Sequence, residues 1–118
     1  MRESKQRQQF ICNELFVFVV KNGVPENEEL EKLGVEIAED WITLGRRLGI
    51  RDPKIQEIET AHIQLPKKGY RMLKHWKQAK GSAATYKRLC DALQHELVQR
   101  QDLAEKFCYI KGNYFLRY

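Results

Sequence analysis

Few residues in this chain have the types and spacing that chemistry requires. His62, His75 and His95 stand far apart, and Cys12, Cys90 and Cys108 form no CxxC pair. Metal ligands usually come about two to five residues apart on a turn or helix, so no metal is expected. HExxH, GxSxG, GxxxxGK(S/T) and GxGxxG are all missing, which removes the commonest zinc-hydrolase, serine-hydrolase and nucleotide signatures. The carboxylates from Glu26 to Asp40 could supply an acid/base pair, yet no nucleophile or metal ligand stands near them. A charge-rich helix is ordinarily a solvated face. The sequence points away from an enzyme, and no cofactor is implied.

What remains is charge, and it is unevenly placed. The net charge is +5, but seven acidic residues and one lysine lie between Glu26 and Asp40. Between Pro66 and Lys80 there are six Lys or Arg and no acid. Complementary faces of this kind speed encounter and set register. Contacts between unlike faces also grow into rings or helices instead of closing as two-fold dimers. Within DWITLGRRLGI, Asp40 to Ile50, the apolar stripe runs through Trp41, Leu44 and Leu48, so Arg46 and Arg47 should turn mostly outward.

Positioning those charges falls to helices. Leu30, Leu33 and Ile37 recur at helical spacing, as do Trp41, Leu44 and Leu48, and Gly49 ends the second run. Asp52-Pro53 reads as an N-cap and first helical position for a third helix carrying Ile55 and Ile58. Pro66 opens a fourth with Tyr70, Leu73 and Trp76 on one face, closed by Gly81. Ser82 or Thr85 starts a fifth with Tyr86, Leu89, Leu93 and Leu97, and a sixth holds Leu103 and Phe107. The expected fold is all-α, a six-helix antiparallel bundle with an extra N-terminal segment. Gly34, Gly45 and Gly69 sit inside or near the start of these helices, at up to about 1 kcal/mol each relative to Ala. Gly34 marks either close packing or a break.

Residues 1–24 are set apart as an N-terminal extension, helix or linker, within which residues 5–21 read as a buried helix or, from FVFVV, a strand. Residues 109–118 form an aromatic tail expected to pack back on the domain. No apolar run approaches the roughly 20 residues of a membrane span, and no secretory leader is recognisable. Three scattered cysteines suit a reducing compartment and buried packing, so a cytoplasmic location is expected. A helix-turn-helix through Gly49–Asp52 is a rival reading. Its third helix, however, carries Glu57 and Glu59 toward the phosphates, and nucleic acid is not the expected partner.

The pattern Leu33, Ile37, Trp41, Leu44, Leu48-Gly49-Ile50, then Ile55, Ile58-Glu59, then Leu73 and Trp76 resembles the death domain. Thr85, Leu89, Ala92-Leu93 and Arg100-x-Asp102-Leu103-Ala104-Glu105-Lys106 continue it, over roughly residues 28–108. The likeness is loosely to the Fas-associated adaptor class. Arg100-Gln101-Asp102-Leu103 is also typical of death effector domains, and caspase-recruitment domains share the fold; the tryptophans favour the death domain. The resemblance implies a death-fold bundle and a non-enzymatic module that assembles homotypically with other death-domain proteins, self included, in apoptotic or inflammatory signalling. It also implies that the second and third helices of one copy meet the first and fourth of the next. Arg46, Arg47, Arg51, Asp52, Lys54 and Glu57 would then oppose Glu31, Glu36 or Glu39, with Lys67, Lys68 and Arg71 forming a fourth-helix surface.

Overall fold

The computed structural model describes residues 10–12 and 17–110. Strands β1 (Phe10–Cys12) and β2 (Val17–Val20) open it as an antiparallel pair, with Ile11 opposite Phe18. Helices follow: α1 (Asn27–Ile37), α2 (Trp41–Arg47), α3 (Asp52–Ala61), α4 (Leu65–Lys80), α5 (Tyr86–Gln94) and α6 (Gln101–Cys108). Five of these have eight residues or more, and α2 has seven. Strand β3 (Tyr109–Ile110) returns antiparallel to β2, giving the sheet order β1-β2-β3. The protein is thus mostly helical; within FVFVV, Val17–Val20 takes the strand form of the two expected alternatives, but its pairing into a three-stranded sheet was not expected.

Long-range pairing decides the sheet. Segment 17–20 finds its partner in the residues after the last helix, beyond the reach of local propensity. Two further bonds fasten this edge: Lys21 N–H to the Cys108 carbonyl at 2.8 Å, and Tyr86 N–H to the Gly23 carbonyl at 2.9 Å. Tyr109 is buried, whereas the rest of the aromatic tail, 111–118, lies outside the described residues.

Helix ends follow local chemistry. The Glu29 carboxylate accepts the Glu26 N–H at 3.1 Å ahead of α1, and Gly49, at φ 93°, supplies the left-handed turn after α2. Thr85, one of the two expected caps, accepts the Arg88 N–H at 3.1 Å. Before α3 the cap position falls on Arg51, not Asp52, whose carboxylate is drawn to Arg46 instead.

The core contains the expected stripe: Leu33, Ile37, Trp41, Leu44, Leu48, Leu73, Trp76 and Leu93 are all buried. Leu97 departs from it. Helix α5 stops at Gln94, the chain turns through Gln99 at φ 53°, and Leu97 is left exposed while Val98 is buried.

The two glycines open to question set the main helix crossing. α1 packs most extensively against α4. A Cβ on Gly34 would lie 2.7 Å from the Tyr70 nitrogen, and one on Gly69 would lie 2.8 Å from the Gly34 oxygen. Close packing, not a break, is therefore the role of Gly34. Gly45 is less constrained, since its nearest neighbour is the flexible Met72 side chain at 3.1 Å.

Candidate protein-interaction surface

Among the described residues no polar or charged residue is buried, so the charge asymmetry of the sequence becomes a surface property. Three regions carry it. Glu31 of α1 and Glu39 in the turn after it are exposed, while Glu36 of α1 is half-buried and accepts from Lys106 of α6. Of the three acids, Glu31 and Glu39 are the better placed to meet a partner.

The α2–α3 corner holds the arginine pair. Arg46 is exposed, and its Nε donates to Asp52 Oδ1 at 3.1 Å. Arg51 is exposed beside it, and Lys54 lies 3.5 Å from Glu57 one turn on. These pairs are solvent-facing and each is worth roughly 0–1 kcal/mol, so a competing acid could exchange into them cheaply. Arg47 differs from the expectation. It is only half exposed, its Nε is buried without a partner, and its carbonyl accepts from Arg88 at 2.9 Å. The outward reading holds for Arg46 and only in part for Arg47.

The start of α4 forms the third region. Lys67 and Arg71 are exposed and make no ion pair among the described residues, whereas Lys68 is half-buried and 3.9 Å from Glu59. Here the bundle joins what the sequence keeps apart. Glu31 of α1 shares a groove of about 470 Å³ with Lys67, Tyr70 and Arg71 of α4. Val35 lines it as well, 55% exposed, and Ile63 in the neighbouring turn is 93% exposed. Val35 and Ile63 were not among the expected surface residues, and Tyr70, expected on the inner face of the fourth helix, is half-buried against the core. Arg71 and His62 line this groove and also the cleft between α3 and α4, so the two run together.

One charged network was foreseen only as a pattern. Arg100 Nη1 donates to Asp40 Oδ2 at 2.9 Å, and its Nε donates to Asp102 Oδ1 at 3.2 Å. A third bond reaches the Glu36 carbonyl at 3.4 Å. The bonds from Asp102 and then Asp40 raise the Arg100 pKa, while Arg100 holds Asp102 below the usual carboxylate range. This fork ties the start of α6 to the α1–α2 junction.

A second network fastens the sheet. Glu29 receives the Tyr86 hydroxyl and Lys21 Nζ, the latter at 3.1 Å. Burial alone would raise the Glu29 pKa, but bonds from Tyr86, the Glu26 N–H and Lys21 outweigh it and hold the carboxyl low.

No group of three His, Cys, Asp or Glu side chains able to hold a metal occurs among the described residues. No described helix is long and apolar enough to cross a membrane. The family model described as Death domain matches residues 27–110, and no curated protein matches the chain.

Proposed function

The chain belongs to the death-domain family, a family of protein–protein interaction modules, and on that premise we propose that it acts as a non-enzymatic adaptor or receptor-tail module in the cytoplasm. It assembles with other death domains, itself included, and brings bound effectors together in apoptotic or inflammatory signalling. Clustering raises local concentration, so weak charged contacts suffice once several act together.

The observation that carries this reading is the pair of oppositely signed exposed surfaces. Arg46 and Arg51 project from the α2–α3 corner, Glu31 from α1 and Glu39 from the turn after α1. Asp52, Lys54 and Glu57 flank the first surface. Lys67 and Arg71, with the partly buried Lys68, form a third, basic surface at the start of α4. A head-to-tail contact joins the corner of one copy to α1 of the next and leaves the opposite pair free to continue.

A charge swap tests it. Arg46→Glu with Arg51→Glu, or Glu31→Lys with Glu39→Lys, should each reduce self-association at least tenfold, roughly the effect of one lost charged pair. Mixing the two variants should restore it, because the reversed corner then meets a reversed α1. Failure of the mixture to associate would refute this pairing.

A further inference from the structure

We propose that the cleft between α3 and α4 is an anion-binding site for a phosphoryl group. The cleft has a volume of about 260 Å³ and is lined by Lys54 and Glu57 of α3, His62 of the intervening turn, and Arg71, Lys74 and His75 of α4. Three permanent cations face one carboxylate there, and that carboxylate already lies 3.5 Å from Lys54. Arg71 makes no ion pair among the described residues, and Lys74 Nζ stands over the Tyr70 ring, 5.9 Å from its centroid. Arg71, Lys74 and His75 share one face of α4 because they are three and four residues apart. Their mutual repulsion is relieved by an anion.

The chemistry matches a phosphoryl group. A guanidinium binds two phosphate oxygens at once, and an ammonium adds a point charge. Small-molecule pockets usually begin near roughly 300 Å³ and are mostly apolar. A smaller, cationic cleft suits one or two phosphoryl groups on a compact scaffold. His75 adds a titratable donor. Burial and Lys54 lower its pKa, against the opposing pull of Glu57. It therefore stays neutral further down in pH than an ordinary histidine, and a bound anion would favour its protonated form. The groups facing it are Lys54 and Glu57 from α3, His62 from the turn, and Arg71 and Lys74 from its own helix.

The test is an NMR titration of the full chain with inorganic pyrophosphate. Saturable shifts confined to the cleft are expected, with a rise in the His75 pKa on binding. Lys74→Ala should weaken binding about tenfold, the loss of one charge-assisted contact. Gln78→Glu, which adds a carboxylate to the cleft wall, should act in the same direction. Neither residue belongs to the proposed assembly surfaces, so association and anion binding can fail separately. Inorganic sulfate, which does not titrate between about pH 5 and 8, isolates the histidine. Its affinity should grow as pH falls through the His75 range, and His75→Ala should weaken that dependence. Inositol trisphosphate and vesicles containing phosphatidylinositol bisphosphate separate the two sources. Equal affinity supports a soluble ligand, and tighter vesicle binding supports a lipid headgroup. Shifts spread over the α4 lysines without saturation, or binding unchanged in both Lys74→Ala and Gln78→Glu, would overturn the proposal.

Discussion

Replacing Gly34 by alanine sets two effects of known size against each other. Alanine in a helix interior is favoured over glycine by about 1 kcal/mol. Against that, the new methyl would stand 2.7 Å from the Tyr70 nitrogen, 3.1 Å from its Cα and 3.2 Å from the Gly69 carbonyl carbon. All three are backbone atoms, so no side chain can rotate away. Reaching an ordinary contact of about 3.4 Å means moving α1 and α4 apart by about 0.7 Å along their most extensive contact. Overpacking of this kind costs about 1–3 kcal/mol, because close-packed interiors yield little. Gly34→Ala should therefore be less stable by as much as about 2 kcal/mol after the helix gain. Gly45→Ala is the control. Its neighbours are the Met72 side chain at 3.1 Å and Ile55 Cδ1 at 3.7 Å, and the flexible Met can yield. Its stability should stay within about 1 kcal/mol of the parent. Urea unfolding followed by the fluorescence of the two buried tryptophans measures both variants. If Gly34→Ala proves more stable than the parent, the close-crossing argument is wrong.

Other expectations follow from the same geometry. Trp41, 2% exposed, should cost about 3–5 kcal/mol on replacement by alanine, read by urea unfolding. A double-mutant cycle of Arg100→Gln with Asp40→Asn should give a coupling of about 1 kcal/mol. The Asp102→Asn cycle should give less, because a bond two residues away partly survives in the unfolded chain, whereas the Asp40 bond joins distant segments. Acid should weaken the fold through Glu29. A depressed carboxyl adds stability above its ordinary value of 4.5 and loses it as pH falls through the lower folded value. Glu29→Gln should flatten the loss in urea midpoint seen between about pH 5 and 3. His75 acts at higher pH: its depressed value makes the fold less stable as pH drops below 6.5, and His75→Ala should remove that component.

The helical part was legible because its signals are local. Apolar residues three and four apart placed Leu33, Ile37, Trp41, Leu44 and Trp76 in the core, and Thr85 capped where a threonine should. What escaped depends on partners distant in sequence. The three-stranded sheet exists because Val19 and Val20 meet Ile110 and Tyr109, a pairing that periodicity does not encode. Leu97 continued the stripe on paper, but α5 ended one turn earlier and the loop turned it outward. The surface divides the same way. Exposure of Arg46 followed from its place between Leu44 and Leu48, but the half-burial of Arg47 beneath Arg88 required the packed bundle. Likewise, acidic α1 and basic α4 read as separate charge blocks, and only their crossing brings Glu31, Lys67 and Arg71 to one groove.

Light scattering behind size exclusion, across protein concentration and salt, tests the assembly claim most directly. The parent should form oligomers that grow with concentration and dissociate as salt screens the charged contacts. Arg46→Glu with Arg51→Glu should remain monomeric with unchanged helicity, since both side chains lie at the surface. A parent that stays monomeric throughout, or oligomers indifferent to salt and to the charge reversal, would contradict charge-driven homotypic assembly.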